Sequence, residues 1–540
     1  MQEVTRINGH IIDIRNRNII KGEITILGGK IHSIIEKEDV NEQYILPGFV
    51  DAHIHIESSM VTPYAFAQVA LGHGTVATVS DPHEIANVCG MEGVRYMIEN
   101  AKNAGLQFYF GAPSCVPATT FENAGAIINA DDVKTLLEDD DIWYLSEMMN
   151  YPGVLYKNQE VLAKINHAKA IGKPIDGHAP GLRGDDAKNY ISAGISTDHE
   201  CYTIEEAKEK LKYGMKIIIR EGSAAKNYAA LHTLIESNSD DVMFCSDDKH
   251  PDDLIVGHIN VLVKRSIALG YDLFDVLKIA CINPVNHYGL PVGMLAIGDS
   301  ADFIIVKDIQ DWDVKQTIIK GRSYFNDGHC TLPDISTSVI NHFEAEEIDV
   351  LSLQIQSLFR SVPVIEAIDG SLITEKTIAS LPSDGTNLLS DPNQDVLKIC
   401  VINRYKKAPP AVGFIKNFNL KDCAIASTVA HDSHNIIAVG TDDDLISRAV
   451  NLLVASKGGL AAVTPDEHMH LALPIAGLMS DRSVVETGQK YKSISDFVKS
   501  RGCTLSAPFM TLSFMALLVI PKIKISDLGM FDAETFTFYD

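Results

Sequence analysis

The sequence predicts an α/β protein in which a (β/α)8 TIM-like barrel is inserted into a small β-sandwich domain and followed by a C-terminal α/β domain. Three observations predict this fold class. Apolar, β-branched runs alternate with helical stretches eight times between residues 47 and 290. Short strands separated by glycine turns precede this region and return after it. A further block of strands and helices occupies residues 350–540.

The eight apolar runs are expected to be the strands of the barrel domain, residues 47–290. Strands that alternate with helices pair in parallel, and eight such units close into a barrel whose chemistry lies at the carboxyl ends of the strands. The predicted strands cover residues 49–56, 75–79, 107–110, 142–145, 174–176, 195–197, 216–219 and 242–244.

Two segments that flank the barrel, residues 1–46 and 291–340, share a pattern of short alternating strands and glycine turns. We expect them to pair into one small β-sandwich domain. The C-terminal domain, residues 350–540, follows a polar acidic stretch and is large enough to fold independently. We expect this domain to cover the mouth of the barrel.

Composition narrows the class of protein. The 540 residues carry a formal net charge of −25 and no basic stripe with interleaved aromatic side chains, which argues against nucleic-acid binding. The sequence has no signal segment and no apolar run long enough to span a bilayer, so we expect a cytoplasmic protein without membrane association. Nine cysteines without a C-x-x-C pair fit free thiols in a reducing compartment.

The first barrel strand carries the most informative motif, PGFVDAHIHIESS at residues 47–59. His53 and His55 are two residues apart, so on a strand both imidazoles point to the same side and one metal ion could bind both. Packing of two histidines on a half-buried strand is the alternative. The motif alone therefore favours neither interpretation.

Other polar residues follow the predicted strands, at the end where barrel enzymes place their chemistry. Each of them alone could equally cap a helix or pack in the core. Together they predict one polar cluster at the barrel mouth. These residues are Asp81, His83, Glu84, Glu147, His178, His199 and Asp247.

Several motifs resemble known families. PGFVDAHIHIE, GHAPGL at 177–182, TDHE at 197–200 and CSDD at 245–248 resemble the amidohydrolase superfamily. More narrowly, ESS at 57–59, DPHEIANVCG at 81–90, SEMMN at 146–150, HDSHN at 431–435 and LPIAGLMS at 473–480 resemble the bacterial-type adenine deaminase family. The resemblance spans nearly the whole chain.

By this resemblance, six side chains are expected to hold a pair of divalent ions, Mn²⁺ or Fe²⁺, with Zn²⁺ as an alternative. Imidazole and carboxylate donors suit these ions on chemical grounds as well. Many superfamily members bridge the ions with a carbamylated lysine on strand 4, but Lys134 and Lys157 lie outside that predicted strand, and Glu147 is the expected bridge. The ligand set is His53, His55, Glu147, His178, His199 and Asp247.

The resemblance also implies an activity: hydrolytic deamination of the free purine base adenine to hypoxanthine and ammonia, as in purine salvage. The ions would lower the pKa of a water from about 15.7 to about 7, and hydroxide would add to the ring carbon that carries the amine. Asp247 is expected to accept the proton, or to act as a ligand alone. Hydrolysis of another aminated heterocycle or a cyclic amide, and a non-catalytic scaffold, remain alternatives. A homodimer is expected.

The remaining candidates concern the substrate. His83 and Glu84 are expected to protonate a ring nitrogen or orient the purine, or else to form a turn after strand 2. The expected purine contacts could instead be solvated loop residues or, for the two histidines of HDSHN, a local turn. Lys226 and Lys249 are expected to be surface charges. The expected purine contacts are Glu57, Ser58, Arg183, Asp248, His431 and His434.

Overall fold

The structure of the chain is a computed structural model that describes residues 4–333 and 335–539. Residues 1–3, 334 and 540 fall within the predicted domain ranges and lie outside the described residues. Within the described ranges, no helix combines the length and the apolar character needed to cross a membrane.

The chain begins with an antiparallel meander. β1 and β2 pair along their whole lengths, from Val4 opposite Leu27 to Asp13 opposite Asn18, and β4 then pairs with β1 in parallel. Alternating isoleucines of β1 and β2 point to one side, which is buried. The strands are β1 Val4–Asp13, β2 Asn18–Leu27, β3 Lys30–Glu36 and β4 Tyr44–Pro47.

All eight predicted barrel strands form, and the predicted α/β barrel fold is confirmed. Each strand pairs in parallel with the next. The Asp247 amide donates to the His53 carbonyl oxygen (3.0 Å), and this bond joins the last strand to the first and closes the barrel. The strands are β5 Phe49–Ile54, β6 Thr75–Ser80, β7 Gln107–Ala112, β8 Ile142–Met148, β9 Ile175–Gly177, β10 Thr197–Asp198, β11 Lys216–Arg220 and β12 Val242–Cys245.

The barrel helices surround the strands, as expected for parallel strands that are buried on both faces. Several helices begin at side-chain caps; Asn129, for example, forms a capping box with Asp132 at the start of α3. The helices are α1 Pro63–Ala70, α2 His83–Ala101, α3 Ala130–Leu137, α4 Tyr151–Leu155, α5 Gln159–Ala170, α6 Gly184–Ser192, α7 Ile204–Lys212, α8 Tyr228–Leu231, α9 Leu234–Ser237, α10 Pro251–Val256, α11 Ile259–Ala268, α12 Leu273–Leu277 and α13 Asn283–Tyr288.

The strands after the barrel return to the first sheet. β13 Phe303–Val306 pairs with β4 in antiparallel fashion, and it is followed by β14 Val314–Ile319, β15 Arg322–Asn326 and β16 His329–Cys330. The sheet has the order β16-β15-β14-β13-β4-β1-β2-β3. It curls back on itself, so that the Ile31 amide donates to the Asp299 carbonyl oxygen (3.0 Å) and the two halves enclose their own core.

The C-terminal region contains a second large sheet, in the order β19-β18-β23-β22-β25-β24-β26-β27, with α14 packed against it. Its elements are β17 Ile355–Gln356, β18 Ser361–Glu366, β19 Glu375–Ser380, β20 Ser383–Asp384, β21 Asn387–Leu388, β22 Val396–Ile402, β23 Ala411–Lys416, β24 Ala424–Ser427, β25 Ile436–Gly440, α14 Asp443–Ser456, β26 Gly459–Val463, β27 His468–Ala472, α15 Val484–Ser500, α16 Pro508–Ser513, β28 Ile523–Ser526, β29 Gly529–Asp532 and β30 Thr537–Phe538.

The C-terminal region packs on the mouth of the barrel. The long loop between β7 and α3 is held from above, because Asn123 donates to Asp527 (2.6 Å) and Ser526 donates to the Phe121 carbonyl oxygen (2.9 Å). Asn435 reaches the same loop and donates to the Asn123 carbonyl oxygen (2.8 Å). One apolar core continues from the barrel into this region. The loops of both units therefore face each other where the barrel strands end.

A buried carboxyl at this boundary gives a pH-dependent prediction. Burial raises the pKa of Glu122 from 4.5 to about 8, against hydrogen bonds from Ser433 and Thr119. The folded state then binds more protons than the unfolded state between these two values, so this group destabilises the fold increasingly as the pH rises from about 4.5 to about 8. Glu122→Gln should therefore raise the melting temperature at pH 8.5 by about 2 °C or more, and by less at pH 5.

Thermal unfolding monitored by circular dichroism at the two pH values would measure this effect. The exposed Glu38 supplies the control variant, Glu38→Gln, whose melting temperature should differ equally little from that of the unaltered chain at both pH values. A Glu122→Gln protein with the same pH dependence as the unaltered chain would contradict the raised pKa.

Candidate metal centre and adjoining cavity

The Glu147 carboxylate, at the end of β8, lies at the centre of a buried cluster. Its Oε1 is 3.2 Å from His55 Nε2, while its Oε2 is 2.7 Å from His178 Nδ1 and 3.2 Å from His199 Nε2. One carboxylate thus faces imidazole nitrogens on two sides. This is the arrangement required of a ligand that bridges two cations.

The end of β5 and the residue after β12 supply the other donors. His53 Nε2 and His55 Nε2 are 3.1 Å apart, and Asp247 Oδ1 lies 3.3 Å from His55 Nε2 and 3.8 Å from His53 Nε2. His55 Nδ1 donates to the Asp81 carbonyl oxygen (3.2 Å), which leaves its Nε2 free to bind a cation. The six side chains expected to bind metal therefore converge, and their four imidazole and two carboxylate groups could hold metal ions.

The electrostatics of the cluster favour bound positive charge. Burial alone would raise the pKa of the Glu147 carboxyl, but the neighbouring His178 and His199 imidazoles hold that pKa well below its usual range. Burial would lower the pKa of His199, yet the hydrogen bond and charge of Glu147 raise it to about 9. Without metal, protons on the histidines balance the buried carboxylates. Divalent cations would take over that balance when the ligands bind them.

Arg220, the last residue of β11, links two acids of the site. Its guanidinium donates to Asp247 through Nη1 and to Glu200 through Nη2, the latter over 2.9 Å. This guanidinium, together with His55, overcomes the effect of burial and holds the pKa of Asp247 well below its usual range. Asp247 is therefore fixed in position and ionised.

Sequence reasoning did not identify Glu200 or Arg220 as site residues. Glu200 stands in the TDHE motif directly after His199, and its Oε1 lies 3.5 Å from His199 Nε2 and 3.6 Å from His178 Nδ1. Arg220 ends an otherwise apolar strand, and a charged residue at that barrel position was the available signal.

A second buried network fixes the ligand-bearing strands beneath the cluster. Asp51 Oδ1 accepts hydrogen bonds from the amides of His53 (3.3 Å) and Ser246 (3.0 Å). His258 Nε2 lies 2.7 Å from Asp51 Oδ2, and the other ring nitrogen of His258 is 2.6 Å from Thr75 Oγ1. Asp51 thus ties β5 to the strand that precedes Asp247, so both ligand segments keep one register.

The start of α2 places two acid–base groups beside the cluster. His83 Nδ1 lies 3.1 Å from Asp81 Oδ2 and 3.6 Å from Glu147 Oε1, and its Nε2 lies 3.5 Å from Glu84 Oε1. Glu84 in turn contacts two histidines of the C-terminal region, His431 and His434. His83 therefore stands between the bridging carboxylate and Glu84.

These groups line a cavity between the barrel and the C-terminal region. Its apolar wall comes from Met149, Leu372, Phe514 and Leu517, and the last three belong to the C-terminal region. Flat apolar ligands suit such a wall, because aromatic and aliphatic side chains can cover both faces of a ring. The polar lining is His55, His83, Glu84, Glu147, His178, His199, Glu200, Arg220, Asp247, Asp248, His431 and Asp432.

The expected purine contacts divide into two groups. Asp248 and His431 line the cavity. Ser58 donates to Asp248 (2.5 Å), Glu57 accepts from the Ile85 amide (3.1 Å), and His434 contacts Glu84, so these three residues lie behind the cavity lining.

Two sequence predictions are wrong. Arg183 does not reach the cavity: its side chain is 47% exposed and forms an ion pair with Glu209 on the outer side of the barrel loops. Lys249 is not a surface charge, because it is only 8% exposed. In both cases a loop direction that the sequence does not encode locally decided the position.

The bridging position of Glu147 makes a direct prediction. Glu147→Gln removes the negative charge that both halves of the cluster share, so the metal content should fall from about two ions per chain to one or fewer. Inductively coupled plasma mass spectrometry on protein purified with Mn²⁺ would measure this content. Glu138→Gln changes a largely exposed glutamate just before β8 and should leave the metal content unaltered. An unchanged metal content in Glu147→Gln would contradict the bridge.

Comparison with known proteins adds the family. The Amidohydrolase family model matches residues 44–324, and the model of the Adenine deaminase C-terminal domain matches residues 371–537. Among solved structures, a β-aspartyl dipeptidase from Fervidobacterium islandicum AW-1 is 19% identical, covers 62% of this chain and 100% of its own, and has a TM-score of 0.49.

Similar relatives extend over the full length. Adenine deaminase of Sulfurovum sp. strain NBC37-1 is 52% identical, with 98% of both chains covered, and that of Salinibacter ruber is 49% identical, with 99% of this chain and 98% of the relative covered. Adenine deaminase of Borreliella burgdorferi is 48% identical, with both chains covered completely. Matches of this length include the barrel, its buried cluster and the C-terminal region together. The chain belongs to the adenine deaminase family of the amidohydrolases.

Proposed function

We propose that this chain catalyses the hydrolytic deamination of adenine to hypoxanthine and ammonia. The similarity to adenine deaminases over the whole chain carries the proposal, because it includes the C-terminal region as well as the barrel. The barrel alone would support many hydrolytic reactions, since loops and neighbouring domains decide what a barrel enzyme binds. A buried donor cluster beside an apolar cavity is consistent with this reaction.

The cofactor we propose is a pair of divalent ions, Mn²⁺ or Fe²⁺, with Zn²⁺ as an alternative. The mixed imidazole and carboxylate donors suit all three ions. When bound, such ions lower the pKa of a water molecule far enough to provide hydroxide near neutral pH. The proposed ligands are His53, His55, Glu147, His178, His199 and Asp247.

Asp247 is the proposed general base. Its carboxylate lies among the ligand imidazoles, and Arg220 keeps it ionised, so it can accept a proton at neutral pH. The proton can then pass to the amino group of the substrate, which must leave as ammonia. Arg220 orients Asp247 without needing to touch the substrate.

His83 and Glu84 are proposed to serve the purine ring. Addition at the ring carbon that carries the amine places negative charge on the adjacent ring nitrogen, and a proton donor there stabilises that charge. Asp81 orients the His83 ring and raises its pKa well above the usual range, even though burial acts in the opposite direction. His83 is therefore positioned to hold a proton close to the bridging carboxylate.

Turnover of adenine tests the proposal. The protein, purified with Mn²⁺, should convert adenine to hypoxanthine, followed by ultraviolet absorbance together with ammonia release, at about two metal ions per chain. Adenosine and cytosine serve as control substrates. Bound metal without adenine turnover would refute the adenine assignment and leave another aminated heterocycle or a cyclic amide as substrate; absence of metal would refute the cofactor as well.

The role of Asp247 gives a separate prediction. Asp247→Asn keeps an oxygen ligand but cannot accept a proton, so kcat should fall about 100-fold or more while the metal content stays near two ions per chain. Steady-state kinetics and metal analysis on the same preparation measure both quantities. A variant with full metal content and near-normal kcat would show that Asp247 is a ligand only.

A further inference from the structure

The loop between β24 and β25 brings the motif HDSHN from the C-terminal region into the barrel mouth. Its first histidine, His431, lines the cavity, with its ring stacked at 25° on Phe514 over 5.0 Å between centroids. Its second histidine, His434, lies behind the cavity lining. The loop is fixed by Tyr405, which donates to the Ser433 carbonyl oxygen (2.6 Å).

The hydrogen bonds around Glu84 define the state of both histidines. The Ala430 amide donates to His434 Nδ1 (3.2 Å), so the hydrogen of a neutral His434 is on Nε2 and is donated to Glu84 Oε2. Glu84 Oε1 lies 2.6 Å from His431 Nδ1 and receives a hydrogen from it. Both oxygens of Glu84 are thereby occupied by the loop.

The other ring nitrogen of His431, Nε2, has no hydrogen-bond partner among the described residues and is available to a ligand in the cavity. Around it lie three acids, Glu84, Asp248 and Asp432. Burial alone would lower the pKa of His431, but Glu84 and Asp248 raise it to about 9. His431 therefore carries hydrogens on both nitrogens near neutral pH, and Nε2 is a charged donor.

The polar groups follow one another outward from the metal cluster in the order Glu147, His83, Glu84 and His431. A base whose amino-bearing carbon lies at the cluster extends its remaining ring atoms along this row. Adenine presents acceptor nitrogens there, N3 and N7, and a charged donor is their natural partner.

We propose that His431 Nε2 donates a hydrogen bond to an acceptor nitrogen of the bound purine, N7 or N3, and thereby makes the C-terminal region part of the substrate site. This inference rests on the proposed function, since it specifies how the same cavity recognises its substrate. Glu84 and His434 act as positioning residues that hold the His431 ring.

Two substitutions separate contact from positioning. In His431→Asn, the side-chain amide can still donate to Glu84 but no atom remains at the place of Nε2, so kcat/KM for adenine should fall about 10- to 100-fold. In His431→Gln, the longer amide can restore a donor to the cavity, so a smaller loss is expected. If His431 only positioned Glu84, His431→Asn would instead keep near-normal kcat/KM, and that result would overturn the proposal.

Substrate analogues identify the nitrogen. Inhibition constants of 3-deazaadenine and 7-deazaadenine, each lacking one acceptor, are measured for the unaltered enzyme and for His431→Asn. The analogue that lacks the contacted nitrogen should bind both proteins within about threefold of each other, whereas the other analogue should bind the variant about 10- to 100-fold more weakly. Equal weakening of both analogues would show that His431 touches neither nitrogen and would overturn the proposal.

Controls distinguish this test from that of the reaction itself. Adenine turnover by the unaltered enzyme is measured first, so its absence refutes the proposed function before any variant is compared. Metal content and melting temperature of each variant must match those of the unaltered enzyme. His468→Asn changes an exposed histidine of the same region and should leave kcat/KM unaltered.

Discussion

The burial of the Glu147 carboxylate among the imidazoles of four different strands is the constraint on which the rest of this structure depends. A buried carboxylate is costly unless opposite charge compensates it on every side. Here the compensation comes from His55, His178 and His199, which reach Glu147 only if the barrel closes in one register. The same arrangement that is expensive without cations provides their binding site.

The supporting layer of the site follows from this constraint. Asp51 holds the backbone of β5 against the segment that carries Asp247, and Arg220 holds the Asp247 side chain from β11. Each of these groups is buried and charged, so each needs its own partner; His258 answers Asp51, and Glu200 answers Arg220. The result is a cluster fixed from below and from the side, with its open direction toward the C-terminal region.

Much of this architecture was readable from the sequence, because parallel barrel strands leave local signals. The eight strands appear as β-branched apolar runs, and the ligands stand directly after them, so strand ends and ligand positions could be predicted together. Partners chosen by three-dimensional proximity could not. Arg220 and Glu200 meet across neighbouring strands, whereas Arg183 follows a strand but turns outward to Glu209. The contact of His431 with Glu84 joins residues 347 positions apart, which no periodicity encodes.

The cover of the cavity has a physical logic of its own. Lys524 on β28 is fully buried, and its ammonium donates to the carbonyl oxygens of Leu372 (2.7 Å) and Phe514 (3.0 Å), two residues of the cavity wall. Burial lowers the pKa of Lys524 to about 7, which is costly for a lysine that could otherwise be solvated. That cost is offset only when both wall segments present their carbonyl groups together. The apolar wall and the loop that carries His431 are thus properties of the folded C-terminal region, and the barrel alone supplies only the charged half of the site.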